Sequence, residues 1–341
     1  MAGRALLTHL DRCAGWSVIA VARKPPSFAT SARFVAADLL DPASCRQNLG
    51  GLAEVTHVFY TAYVDHPVIA ETRAPNVAMF ANAIPVIEAA AKALEHVCLL
   101  QGTKYYGHYL GPFKTPAKED DPRVAVPHFY YDQQDMLTRL REHKTWSWSC
   151  ARPHVICGFA LGNPMNLVST IAVYAVLRRE SGQRLTFPGK PGAFTSITQA
   201  TDAGLLARAM VFIATTPAAA DQAFNVTNGD FFRYQNVWPL IADYFGMEKG
   251  GVETVDLAHA MTGAEERWAT IVAKYGLAPH ALSRLVNWNF ANYVFSVDWD
   301  VMSDTTKCRQ HGFLEFVDST KMFPAQIDVL AQHRIIPSFA Q

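Results

Sequence analysis

The chain has 341 residues, half of them apolar, and its 30 basic residues balance its 30 acidic ones. Such length and apolar content argue against disorder, and the lack of charge blocks removes the electrostatic case for nucleic acid or an anionic membrane surface as partner. No uncharged apolar run reaches the roughly 18 residues that suggest a membrane span, and residues 1–10 lack the apolar region of a signal peptide, so a cytoplasmic protein with a small-molecule partner is expected.

In chain order, the pattern predicts a helix over residues 4–12, strands over 16–22 and 33–38, a helix over 42–49 and a third strand over 56–62. A helix over 76–94 follows, which Pro85 is expected to bend or break. A fourth strand over 95–100, a helix over 130–143 and a fifth strand over 146–152 complete the first half. Continuous apolar runs such as Val18-Ile19-Ala20-Val21 and Val97-Cys98-Leu99-Leu100 suit parallel strands buried on both faces. The fold class is therefore α/β, a Rossmann-type doubly wound parallel sheet. Beyond Gly158 the texture changes to Pro-, Gly- and aromatic-rich loops around helices over 166–179, 202–213 and 235–245. Residues 1–158 read as the nucleotide-binding domain. Residues 159–341 read mainly as a smaller substrate lobe, with some segments returning to the sheet.

The six cysteines are scattered without Cys-x-x-Cys spacing, which favours reduced core thiols over disulfides or zinc. No histidine forms a helical pair with an acid at metal-ligand spacing, so no metal is expected.

Ligands of doubly wound sheets bind outside the carboxyl ends of the strands. After the first strand come Arg23 and Lys24, two cations where an acidic residue would hold an unmodified ribose. They favour a 2′-phosphate and hence NADPH, a solvated strand exit being the alternative. Asp38, with Leu39 after it, is placed to meet the adenine, although a turn role is an equally good account. Thr61 and Ala62 end the third strand on the same side. No Gly-x-Gly-x-x-Gly loop exists in the chain, but Ala2-Gly3-Arg4 looks like the last glycine of such a loop followed by its helix. The expectation is that the first strand and most of the phosphate loop are missing from the amino terminus, and that NADPH binding is weakened accordingly.

The reactive end carries Gln101-Gly102-Thr103-Lys104-Tyr105-Tyr106-Gly107 and then Phe129-Tyr130-Tyr131-Asp132. A tyrosine hydroxyl near a lysine is the proton-handling pair of nicotinamide-dependent reductases, yet no tyrosine here has a lysine four residues later. Lys104 ends a strand and Tyr130 opens a helix. If the fold brings them together, Tyr130 can stabilise charge on a substrate oxygen while Lys104 tunes it and reaches the nicotinamide ribose. Taken singly, each has an ordinary explanation in packing or solvation.

These segments resemble the progesterone 5β-reductase/iridoid synthase-like (PRISE) family, an atypical extended branch of the short-chain dehydrogenase/reductase superfamily. The resemblance rests on Gly102 to Tyr106, Leu110-Gly111-Pro112-Phe113, Glu119-Asp120-Asp121-Pro122-Arg123 and Phe129 to Asp132. It continues through Trp146-Ser147-Trp148, Arg152-Pro153-His154, Gly158-Phe159, Pro164-Met165-Asn166, Phe187-Pro188-Gly189 and Ala223 to Asp230. It implies an NADPH-dependent reductase of activated C=C bonds in enones, with Lys104 and Tyr130 as the catalytic pair and Gln134 standing where the usual lysine would be. It further implies cofactor contacts from Gln101, Gly102, Pro153, His154 and Val155, and substrate walls from Tyr105, Tyr106, Phe159 and Met165, with Asn166 as a polar contact. Tyr105-Tyr106 in place of a more familiar His-Tyr, and an insertion at Gly107-His108-Tyr109, depart from the pattern beside the cleft and leave the particular enone undetermined. A carbonyl reductase or sugar-nucleotide epimerase/dehydratase of the same superfamily and a non-catalytic nucleotide sensor are the competing readings, and a homodimer is left open.

Overall fold

The computed structural model describes residues 1–66, 68–163 and 165–339. Helix α1 (Ala2–Leu10) leads into the parallel pair β1 (Ile19–Ala22) and β2 (Arg33–Ala36). Helix α2 (Pro42–Leu49), capped by Asp41, leads to β3 (His57–Tyr60), and α3 (Arg73–Ala90) to β4 (His96–Leu100). Helix α4 (Phe129–Arg141) precedes β5 (Ser147–Arg152). Two short parallel pairs follow: β6 (Ile156–Cys157) with β8 (Thr201–Asp202), and β7 (Leu185–Phe187) with β10 (Lys249–Val252). Between them run α5 (Leu167–Glu180), α6 (Pro191–Thr195), α7 (Ala203–Thr215), β9 (Gln222–Asn225) and α8 (Tyr234–Tyr244).

The main sheet has the order β3-β4-β5-β9 and is wholly parallel. The central β4 and β5 are buried on both faces along most of their length, as their unbroken apolar runs require. The β1–β2 ribbon is a separate sheet, and among the described residues no ladder joins it to β3. Side chains bridge the break instead. Trp16 lies edge-on to His57 at 5.2 Å and beside Phe59 at 5.9 Å, and Leu6 and Leu10 of α1 pack with Val18, Phe59 and Ala207. This explains why the first strand is shorter than its apolar run: Trp16 and Val18 are spent on packing. Both β1 and β3 stay half-exposed where β4 is buried.

Helix α3 continues through Pro85 without the break that was one of the expected outcomes. Proline removes one N–H from the ladder, but Ala83, Ile84 and Ile87 around it are buried in the core against the sheet, and that packing holds the helix through the lost bond. Helix α5 is buried on every side from Leu167 to Leu177, which fits its nearly uniform apolar sequence. Around it an aromatic core forms in which Phe187 meets Phe194, Tyr234, Trp238 and Phe295 at 5.1 to 5.2 Å. The six cysteines are unpaired, all but Cys13 buried. No described helix is long and apolar enough to cross a membrane.

Candidate active site

The carboxyl end of β4 runs straight into the reactive segment. Gln101 N–H continues the ladder to Ala151 at 2.8 Å, and Gly102 then caps a single 3₁₀ turn, Thr103–Tyr106, that carries Lys104. Across from it, His128 caps α4: its Nδ1 accepts the Tyr130 N–H at 3.2 Å, which fixes Tyr130 in the first turn of the helix. Burial, reinforced by the Lys104 charge, brings His128 down to about 4, so the imidazole is neutral at pH 7 and free to accept that bond.

Lys104 thus sits in the turn that Gly102 opens, and the Tyr130 hydroxyl reaches Gly102 itself. A Cβ on Gly102 would lie 3.2 Å from the Tyr130 hydroxyl and 3.3 Å from the Pro153 carbonyl, so the phenol sits directly over the ends of β4 and β5. The absence of a side chain there is what admits it. Among the described residues nothing hydrogen-bonds the Tyr130 hydroxyl or Lys104 Nζ. Burial pushes the phenol up and the ammonium down, the latter opposed by the Asp65 carboxylate. At neutral pH the phenol is therefore a proton donor with no acceptor assigned to it. Tyr63 completes the mouth of this cleft. It follows β3, its hydroxyl donates to Asp65 at 2.7 Å, and its ring lies 5.9 Å from Phe129. Tyr63, Asp65 and His128 are absent from the sequence assignment; their positions just after a strand end and just before a helix were the available signal.

On the dinucleotide side, Gly3 in the first turn of α1 faces Thr61, whose Oγ1 would stand 3.0 Å from a Cβ there. Ala62 follows it, half-buried. Arg23 and Lys24 are exposed just past β1, and among the described residues neither has an ion-pair partner. Asp38 Oδ1 accepts the Leu40 N–H at 3.0 Å and the Leu39 carbonyl accepts from Asn82 at 2.9 Å, so this pair builds a turn beside the end of β2. Pro153 takes two bonds from Thr103, His154 Nδ1 faces Thr103 Oγ1 at 3.2 Å, and Val155 pairs with Thr201. These groups line the strand ends on which a dinucleotide would lie.

Several expected contacts have other occupations. Gln101 is buried and its amide is used within the protein: Nε2 donates to the Tyr130 carbonyl at 3.0 Å and to Gln134 at 3.2 Å, and Oε1 accepts from Arg152. Asn166, expected to touch substrate, is fully buried as the cap of α5, its Oδ1 accepting from Val168 and Ser169 and its Nδ2 bonding the Gly158 carbonyl. Phe159, expected in the substrate wall, stacks on His333 at 4.2 Å and under Arg4 at 4.6 Å, beside the first turn of α1. Tyr105 and Tyr106 are each only 5% exposed and lie behind the lysine turn, the Tyr106 hydroxyl donating to Asn225 at 2.6 Å. Met165 is half-buried, and its neighbour Pro164 lies outside the described residues.

Comparison with known proteins bears on the family and the fold. A family profile described as a PRISE-like Rossmann-fold domain matches residues 36–337. The chain is 34% identical to the 3-oxo-Δ(4,5)-steroid 5-β-reductase of Arabidopsis thaliana, over 94% of this chain and 86% of that protein. It is also 34% identical to an (S)-8-oxocitronellyl enol synthase of Nepeta racemosa, over 95% of this chain and 87% of that protein. Among solved structures, the UDP-glucose 4-epimerase of Thermotoga maritima superposes with a TM-score of 0.70 at 13% identity, covering 97% of this chain and 96% of its own. The Bordetella bronchiseptica enzyme WbmG, solved with NAD, gives 0.64 at 17%, covering 99% and 93%. At those identities the structures speak for the fold alone.

Proposed function

Because this chain belongs to the PRISE family of Rossmann-fold proteins, we propose that it is an NADPH-dependent reductase of the activated C=C bond of enones, with Tyr130 and Lys104 as its catalytic pair. The observation that carries this reading is the Tyr130 hydroxyl and the Lys104 ammonium, without hydrogen-bond partners among the described residues, at the carboxyl ends of β4 and β5. Both residues are only partly buried, so the hydroxyl and the ammonium remain open to a bound ligand, and a phenol and an ammonium at strand ends of this fold are placed for one.

The groups at the ends of β3, β4 and β5 would hold a reduced nicotinamide, which when bound would supply hydride to the β-carbon of the enone. As the C=C electrons move toward the carbonyl, negative charge collects on the substrate oxygen. The Tyr130 phenol, held neutral by burial, donates its hydrogen bond to that oxygen, where it gains most as the charge grows. Lys104 adds a fixed positive field and a donor for the ribose of the cofactor. The exposed Arg23 and Lys24 pair suits a 2′-phosphate and so supports NADPH over NADH as the cofactor. Protonation of the α-carbon from solvent then balances the reduction.

The test is consumption of NADPH with progesterone, 2-cyclohexen-1-one and simple aldehydes. Turnover of the enones is expected, and turnover of aldehydes alone refutes the assignment. Tyr130→Phe should lower kcat on the enone by about 10²- to 10⁴-fold. It should leave the fold intact, because the lost hydroxyl has no partner among the described residues.

A further inference from the structure

Arg152 ends β5 and is 1% exposed. A guanidinium so deep ordinarily needs a carboxylate, since desolvating the charge costs several kcal/mol. Yet its hydrogen-bond partners among the described residues are all uncharged. Nε donates to Gln101 Oε1 at 2.8 Å, Nη1 to the Tyr106 hydroxyl at 3.0 Å and the Glu119 carbonyl at 3.2 Å, and Nη2 to Gln134 Oε1 at 3.3 Å. Its flat face lies 3.4 Å from the centre of the Tyr105 ring. The Glu119 carboxylate acts on it through space rather than by a hydrogen bond, and for filling space alone an apolar side chain would be cheaper.

These partners belong to two groups. Tyr105 and Tyr106 are the last residues of the turn that carries Lys104. Gln134 stands one turn beyond Tyr130 on α4, at the position that holds lysine in the common Tyr-x-x-x-Lys pair, and Gln101 holds both Gln134 and the Tyr130 carbonyl. One rigid guanidinium therefore bolts the lysine-bearing turn to the tyrosine-bearing helix. The planar fork of arginine can reach several acceptors at fixed angles, which a lysine cannot.

We propose that Arg152 is a positioning residue for enone reduction: tied to the lysine-bearing turn through Tyr105 and Tyr106 and to α4 through Gln101 and Gln134, it sets the Tyr130 hydroxyl against the substrate oxygen. The proposal rests on the enone-reductase reading above. Arg152 touches neither substrate nor cofactor in this scheme, so its effect must pass through Tyr130.

The experiment is a set of double-mutant cycles. Arg152→Met, Arg152→Lys and Gln134→Met are each made in the wild-type and in the Tyr130→Phe background, with kcat, the KM for NADPH and the thermal midpoint measured throughout. Gln134→Met leaves the buried charge in place, so it carries the test if Arg152→Met does not fold. Misplacing a reacting group by about 1 Å costs on the order of 100-fold, so Arg152→Met should lower kcat by about that factor and Gln134→Met by roughly 10-fold, each with little change in KM for NADPH. Arg152→Lys should recover only a small part of the loss. In the Tyr130→Phe background the same changes should cost less than about 3-fold, because no hydroxyl remains to be aligned. Losses that persist undiminished there overturn the proposal and reduce Arg152 to a packing residue. A wild-type enzyme that turns over no enone overturns the functional reading, and the proposal with it.

Discussion

Gly102→Ala isolates the fit between the reactive tyrosine and the strand ends. The new Cβ would meet the Tyr130 hydroxyl at 3.2 Å and the Pro153 carbonyl at 3.3 Å, separations at which a neighbour must give way by a few tenths of an ångström. Pro153 cannot move freely, because its carbonyl already accepts the Thr103 N–H at 3.0 Å and the Thr103 hydroxyl at 3.1 Å. The Tyr130 hydroxyl is the free tip of a long side chain, so the displacement falls on it. If 1 Å of misplacement costs on the order of 100-fold, a few tenths should lower kcat by about 5-fold. Gly102 has extended backbone dihedrals that any residue adopts, and the added methyl restricts the unfolded chain by about 0.4–1 kcal/mol, so stability should hold or rise slightly. The assay is kcat for NADPH oxidation with 2-cyclohexen-1-one alongside a thermal melt. An unchanged kcat, or a kcat loss matched by a large fall in melting temperature, would show that the hydroxyl does not sit where the reaction needs it.

Replacing Arg23 and Lys24 together by alanine should raise the KM for NADPH by about 10- to 100-fold and leave that for NADH unchanged, and equal effects on the two would refute the 2′-phosphate assignment. Asn166→Ala removes the cap of α5 and should cost about 1–2 kcal/mol in a urea titration with KM for the enone unaltered; a raised KM would return Asn166 to the substrate site. Burial brings His96, His108 and His128 to about 4 in the folded protein, so as pH falls below 6.5 the unfolded chain takes up protons that the folded one refuses until about 4. Stability should thus be full near pH 7 and fall through that window by about 2 kcal/mol per histidine at pH 5, and a melting temperature flat from pH 7 to 5 would contradict it.

The parallel sheet was readable in the sequence because β4 and β5 are buried on both faces and leave unbroken apolar runs. The placement of Lys104 just past β4 and of Tyr130 in the first turn of α4 was readable too, from a strand end and a helix start. The partners that brace them were not. Gln101 and Gln134 are neutral amides whose role lies in contacts 18 to 51 residues apart, which no local pattern records. Phe159 looked like a pocket wall, but its true neighbours Arg4 and His333 come from opposite ends of the chain. Asn166 is different: an asparagine just ahead of an apolar helix is the standard capping signal, and the local rule outweighed the family expectation. Pro85 shows the reverse, a strong local rule overridden by packing of Ile84 and Ile87 against the sheet.

A tyrosine and a lysine on one helix hold their spacing through the helix itself. Here Lys104 rides on a turn after β4 and Tyr130 on α4, so nothing in the local backbone fixes one relative to the other. Their alignment must come from tertiary contacts, and the contacts present are short, buried and directional: Arg152 to both elements, Gln101 to the Tyr130 carbonyl, and the Tyr131 hydroxyl to the Tyr105 carbonyl at 2.5 Å. Hydrogen bonds in such surroundings are costly to leave unmade, so the network holds one arrangement rather than several. On the proposed reading, sensitivity to substitution extends past Tyr130 and Lys104 to the carboxyl end of β5, where Arg152, with no substrate contact of its own, positions the phenol.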